Sequence, residues 1–195
     1  LGIVVEDEGD DEFIIQGSNG HIPATDGNLF VGNSGTTARF LTAFVSLGSG
    51  KYRIDGVPRM RQRPIQDLLD GLSELGVDAT PEMSNGCPPL SIVADGIEGG
   101  STSLSGNQSS QYLTALLLVS PYATGNVDIR IDGTLVSTPY IDMTLQIMRE
   151  FGVEVVNQDY KRFIIEAGQH YRSQDYPIEP DASNASYFFG AAALT

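Results

Sequence analysis

The feature that most limits what this chain can fold into is that it repeats itself. Three segments share one design: LGIVVEDEGDDEFIIQG (1–17), LGVDATPEMSNGCPPLSIVADG (75–96) and FGVEVVNQDYKRFIIEAG (151–168). Each opens on an apolar residue, a glycine and a β-branched residue, then predicts a strand, a polar turn and a second strand. The segments before them repeat as well. RPIQDLLDGLSELGV (63–77) parallels TPYIDMTLQIMREFGV (138–153), each with a proline at the helix start, where its missing N–H costs nothing. Apolar residues follow at helical spacing: Ile65, Leu68, Leu69, Leu72 and Leu75 in one, Tyr140, Met143, Ile147 and Phe151 in the other.

A third element also recurs. SGTTARFLTAFVSLG (34–48), NQSSQYLTALLLVSP (107–121) and ASNASYFFGAAALT (182–195) begin small and polar, then run apolar nearly all round. A helix apolar on every face is expected to be buried. The first two lead into strands ending on one word, YRIDG (52–56) and DIRIDG (128–133). The predicted unit is strand, buried helix, strand, amphipathic helix, strand, strand. Units of this kind pack on each other, so the expected fold is α/β (α+β) with pseudo-threefold symmetry, helices inside and sheets outside. Helices 35–47 and 109–120 should be almost fully buried.

Composition narrows the partners. The net charge of −14 argues against nucleic acid or an anionic membrane. No apolar run approaches the ~20 residues of a membrane-spanning helix. The reading is a soluble protein, and the start at Leu1 shows no targeting signal. One cysteine, Cys87, excludes a disulfide framework or a cysteine-based metal site, and His21 and His170 stand apart, so no metal site is expected. The positive charge is concentrated: Lys51, Arg53, Arg59, Arg61 and Arg63 crowd into KYRIDGVPRMRQRPI. Such a cluster is either a pocket for a small anion or a solvated surface, and the stretch alone leaves both open.

In a repeat fold the buried helices start at one end of the domain. That brings Asn33, Gly35 and Thr36 of GNSGTT near Ser109, Ser110 and Gln111, with Ser137, Tyr140 and Arg63 on the same rim. Helix N-termini, hydroxyls, an amide and arginines suit a phosphorylated, carboxylated ligand. Taken singly, each polar segment is no more than a helix cap. GNSGTT lacks the GK[ST] of a Walker loop.

GNSGTTARFLTA, PRMRQRPIQDLLDGL, GNQSSQYLTALLL, VSTPYIDMTLQIMREFGV and IEPDASNASYFFGAAAL together closely resemble the 5-enolpyruvylshikimate-3-phosphate synthase family, in order and over essentially the whole chain. The resemblance implies two similar domains, each of three strand–helix repeats. Residues 1 to about 177 would be most of one domain, and 178–195 the crossing with the first strand and helix of the other. It implies transfer of the enolpyruvyl group of phosphoenolpyruvate to the 5-hydroxyl of shikimate 3-phosphate. Phosphate leaves, a tetrahedral intermediate forms, and no metal or organic cofactor takes part.

By motif, Ser109, Ser110, Gln111, Ser137 and Tyr140 would hold shikimate 3-phosphate. Asn33, Gly35, Thr36, Arg63 and again Gln111 would line the phosphoenolpyruvate side. No catalytic residue is assigned within the chain, because the Lys-Ser-x-Ser-x-x-Arg motif and the other domain's acids, arginines and lysine are absent from it. The resemblance further implies a cytoplasmic enzyme, monomeric at full length, with the other domain as the remaining partner. Phe40 stands where many members have proline, which separates this chain from the common herbicide-sensitive pattern. The sister family acting on UDP-N-acetylglucosamine shares the fold but is not expected to carry SSQYLTALLL with VSTPYIDM. A non-catalytic binding or scaffold domain is the reading from another class.

Overall fold

The computed structural model describes residues 1–9, 11–180 and 182–194. Asp181 and Thr195, at the edges of the last predicted segment, and Asp10 in the first turn lie outside the described residues. The repeating unit occurs twice in full. The first comprises β3 (Asp26–Phe30), α1 (Gly35–Val45), β4 (Ser49–Asp55), α2 (Gln66–Glu74), β5 (Asp78–Pro81) and β6 (Leu90–Asp95). The second comprises β7 (Gly100–Ser105), α3 (Ser110–Val119), β8 (Val127–Asp132), α4 (Thr138–Glu150), β9 (Val156–Gln158) and β10 (Arg162–Ile165).

Their sheets have one topology, β3-β4-β6-β5 and β7-β8-β10-β9. In each, the first two strands are parallel and the remaining pairs antiparallel. The parallel pair follows from the chain's order, since parallel strands need a crossover and α1 and α3 supply it. Alternation does the rest: Leu90, Ile92 and Ala94 of β6 point inward while Ser91, Val93 and Asp95 face out. The inward residues of both sheets and the helices form one hydrophobic core, with Tyr52, Ile54, Leu68, Leu116, Ile129 and Phe163 among its enclosed side chains. Among the described residues no helix is long and apolar enough to cross a membrane.

Three expectations need correction. Helix α3 is enclosed as predicted, Tyr112 to Leu117 being buried without interruption. Helix α1 is enclosed on one side only: Ala38, Thr42, Ala43 and Val45 are buried, but Phe40, Leu41 and Phe44 are half-buried. The reason is its neighbours, since α3 packs among α1, α2 and α4, whereas α1 has α3 and its own sheet. Helix α5 (Ala182–Leu194), written in the same style, is exposed, with Tyr187, Phe188 and Phe189 all more than 70% accessible. The predicted hairpin at the start forms, as β1 (Val5–Gly9) against β2 (Glu12–Ile15), but as a separate two-stranded sheet exposed along its length.

The third correction is a matter of phase. In α2 the predicted face is the buried one, Ile65, Leu68, Leu69, Leu72 and Leu75 all being at most 2% accessible. In α4 the buried positions are Ile141, Thr144 and Met148, while Tyr140 and Met143 are exposed. Both sets fit helical spacing, so periodicity alone does not choose between them. The hydroxyl pair Thr114–Thr144, 3.0 Å apart, accompanies the inward turn of Thr144 towards α3.

Candidate functional site

The helix starts are where small and polar residues outnumber apolar ones, and each has its own construction. Ser34 caps α1, its Oγ accepting from the Thr37 backbone N–H at 3.2 Å. Gly35 is the first residue of the helix, and a side chain there would displace Arg63. A Cβ there would lie 2.3–2.6 Å from the guanidinium of Arg63. That guanidinium lies across the first turn of α1 and donates from Nη1 to the Asn33 carbonyl at 3.0 Å.

The placement of Arg63 is electrostatically unusual. The positive end of a helix dipole disfavours a nearby cation, yet among the described residues neither Arg63 nor Arg39 is in an ion pair. The other arginines of the cluster are occupied differently. Arg61 holds Asp55 through two hydrogen bonds of 2.9 and 2.7 Å, and Arg53 bonds Asp55 and Glu82. The carboxyl of Asp55 is held below the ordinary carboxylate range chiefly by Arg61, with Gly56 N–H and Arg53 adding to the effect against the penalty of burial. Arg59 bonds Gln62 on the surface, its one side-chain partner among the described residues. Of the cluster, Arg63 is therefore the cation left facing a helix start.

Helix α3 begins on Ser109, whose Oγ accepts from the Gln111 N–H at 3.3 Å. Gln111 reaches across to the first repeat. Its Nε2 donates to Thr36 Oγ1 at 2.8 Å, and its Oε1 accepts from Arg39 Nη1 at 2.5 Å. Asn33, Gly35, Thr36, Arg63 and Gln111 are thus joined in one patch, with Ser109 and Ser110 beside Gln111. Arg39 belongs to the patch too, and sequence reasoning passed over it. The available signal was its position: a charge in an otherwise apolar run, one helical turn after Thr36.

The start of α4 adds Ser137 and Tyr140. Ser137 adopts a left-handed conformation (φ 58°, ψ 40°) and its side chain caps nothing. A serine held there, with only its carbonyl in a local bond to the Tyr140 N–H, is strained, a feature that clusters at functional sites. The α4 and α3 starts are stitched by backbone: Val136 N–H donates to the Gly106 carbonyl at 2.9 Å, and Gly106 N–H to that of Asp132 at 2.8 Å. Gly106 is required by this approach, since a Cβ would come within 2.8 Å of the Thr134 backbone. Ser137 and Tyr140 share the rim through this backbone link, and among the described residues no side-chain hydrogen bond ties them to Ser109, Ser110 or Gln111. Tyr140 is 57% accessible and presents its ring to solvent. The whole arrangement offers hydroxyls, one amide, one aromatic face and two arginines, and among the described residues none of these groups is hydrogen-bonded or ion-paired to a carboxylate. It can hold an anion with several oxygens.

Among the described residues no group of three or more histidine, cysteine, aspartate or glutamate side chains is placed to hold a metal.

The profile of EPSP synthase (3-phosphoshikimate 1-carboxyvinyltransferase) matches residues 1–195. A 3-phosphoshikimate 1-carboxyvinyltransferase of Nostoc punctiforme is 51% identical over 181 residues, covering 93% of this chain and 42% of that protein. One of a Marinomonas species is 50% identical over 182 residues, covering 93% and 43%. An EPSP synthase structure from Acinetobacter baumannii superposes with a TM-score of 0.80 at 25% identity, over 100% of this chain and 43% of that one. The chain therefore spans less than half the length of the relatives it matches, and by sequence and by fold it belongs to the EPSP synthase family.

Proposed function

We propose that this chain is the shikimate 3-phosphate-binding part of an enolpyruvyl transferase that moves the enolpyruvyl group of phosphoenolpyruvate to the 5-hydroxyl of shikimate 3-phosphate. The carrying observation is Arg63 lying on Gly35 at the N-terminus of α1 with no ion-pair partner among the described residues. A cation held there by the Asn33 carbonyl, against the positive end of a helix dipole, favours an anion beside it. In this reading Ser109, Ser110 and Ser137 hold the phosphate of shikimate 3-phosphate and Tyr140 covers its ring. Gln111 touches both substrates. Arg63, with Asn33, Gly35 and Thr36, receives phosphoenolpyruvate.

The chemistry assigned to these residues is binding and alignment. The 5-hydroxyl gives up its proton to a base as its oxygen adds to C2 of phosphoenolpyruvate, and C3 takes a proton from an acid, giving the tetrahedral intermediate. Loss of the C3 proton and of phosphate then yields the enol ether. Hydrogen bonds from hydroxyls and backbone N–H groups to a phosphate contribute about 1.5–3 kcal/mol each. Holding both substrates in line supplies the proximity that turns a bimolecular addition into a unimolecular one. The proton-transfer groups are assigned to the other domain of the same protein. The domain break falls at about residue 177, a placement supported by the exposure of α5, whose apolar residues have no core here to enter. The full-length enzyme is read as cytoplasmic and monomeric.

The test is titration of shikimate 3-phosphate into isotope-labelled chain. Amide resonances of residues 107–112 and 136–140 should shift, with weak affinity and no phosphate released from added phosphoenolpyruvate. Shifts confined to other regions would overturn the site, and turnover by this chain alone would overturn the assignment of catalysis to the other domain.

A further inference from the structure

We propose that Arg39 is a positioning residue that fixes which end of the Gln111 amide meets the substrates. The inference rests on the site reading above. The direction of the Gln111 amide is set by its partner. A guanidinium can only donate, so the atom facing Arg39 Nη1 at 2.5 Å must be Oε1. The amide nitrogen is then turned to Thr36, 2.8 Å away. Nε2 carries two hydrogens and Thr36 Oγ1 accepts one of them. Having accepted, the Thr36 hydroxyl has its own hydrogen to give. The row Arg39, Gln111, Thr36 therefore runs donor to acceptor throughout and ends in two donors, one amide N–H and one O–H. Such an end suits a ligand made of acceptors, a phosphate or a carboxylate.

Arg39 is itself held. Its guanidinium lies over the Tyr112 ring, 5.0 Å from the centroid, and the Tyr112 hydroxyl donates to the Pro64 carbonyl at 2.7 Å. Pro64 directly follows Arg63, so one chain of contacts spans the two arginines of the site. Among the described residues no other group donates to Oε1. Without Arg39 the amide could turn its oxygen towards an anion.

The experiment uses this chain with its glutamine side chains labelled with nitrogen-15, and shikimate 3-phosphate as probe. Arg39→Ala should move the Gln111 side-chain NH2 resonances in the free chain. It should also weaken shikimate 3-phosphate roughly tenfold, the scale of one lost charge-assisted hydrogen bond, and Arg39→Lys should restore part of the loss. Leu47→Ala, which loosens α1 at its other end, should leave the affinity unchanged at equal loss of melting temperature. Gln111→Glu keeps the contact with Arg39 but ends the row in an acceptor, and should bind more weakly than Gln111→Ala; should Arg39→Ala fail to fold, this ordering decides. Unchanged Gln111 resonances and affinity in Arg39→Ala, or Gln111→Glu binding as well as the unsubstituted chain, overturn the role of Arg39 while leaving the site intact. Absence of binding to the unsubstituted chain overturns the site reading and this inference with it.

Discussion

Helices α1 and α3 are the same sentence written twice, small and polar at the start and apolar for the remainder, yet they end in different surroundings. From Tyr112 to Leu117 every residue of α3 is buried. In α1 the stripe of Phe40, Leu41 and Phe44 is only half-covered. Helix α5, the third copy, is exposed. An apolar pattern states what a helix can tolerate; how far it is buried depends on how many neighbours reach it. Three other helices pack on α3, one on α1.

Stability measurements can break that comparison most directly. Leu116→Ala removes a side chain with no accessible surface and should cost about 3 kcal/mol or more, the usual outcome for a rigid core. Leu41→Ala, on the half-covered stripe, should cost about 1 kcal/mol, since less area leaves the core and the gap opens to solvent. Urea unfolding of both variants, compared at equal slope, is the check. Equal losses would mean that α1 is as enclosed as α3.

The comparison also holds at the starts of the second helices, where Arg63 of one repeat stands opposite Ser137 of the other. Arg63 meets the site with its charge unpaired, whereas Arg61 and Arg53 are engaged by Asp55. In a chain of the relatives' full length carrying these residues, Arg63→Ala should lose at least ~2 kcal/mol in kcat/KM. Arg59→Ala should lose far less, because that side chain bonds Gln62 on the surface. Comparable losses would remove the distinction.

How far these features were legible follows from what each depends on. The strand and helix order could be read because alternation, helical spacing and the recurring words are local, and the face of α2 followed directly. The face of α4 did not, because its helix carries two interleaved apolar rows and the choice falls to Thr144 meeting Thr114. The convergence of Asn33, Gly35, Thr36 and Gln111 was accessible through the repeat, which predicts that equivalent starts meet. Arg39 was hidden, since its meaning lies in a contact with Gln111, 72 positions away. The five cations of 51–63 look alike in the sequence, and only the fold separates the pair that cage a carboxylate, Arg53 and Arg61, from the three that do not.

That cage yields the smallest and most exacting contrast, because both repeats spell the same word at the end of their second strand. Asp55 in YRIDG is 8% accessible and accepts from Arg53, Arg61 and the Gly56 N–H. Asp132 in DIRIDG is exposed, and among the described residues its carboxylate has no hydrogen-bond partner. Asp55→Ala should destabilise by about 1–2 kcal/mol, a value discounted because both arginine partners reach solvent. Asp132→Ala should stay within about 0.5 kcal/mol. The pH dependence has a fixed sign. The carboxyl of Asp55 titrates below its ordinary value in the folded chain, so its contribution is complete above the unfolded value of about 3.9 and is lost as pH falls through the lower folded one. Asp128, bound by Arg162 through two hydrogen bonds, titrates low for the same reason and adds to the acid sensitivity. Stability measured against pH should therefore show a shallower acid decline in Asp55→Ala than in the unsubstituted chain. If the two decline alike, the cage around Asp55 is decoration, and Arg53 and Arg61 return as candidates for the anion site alongside Arg63.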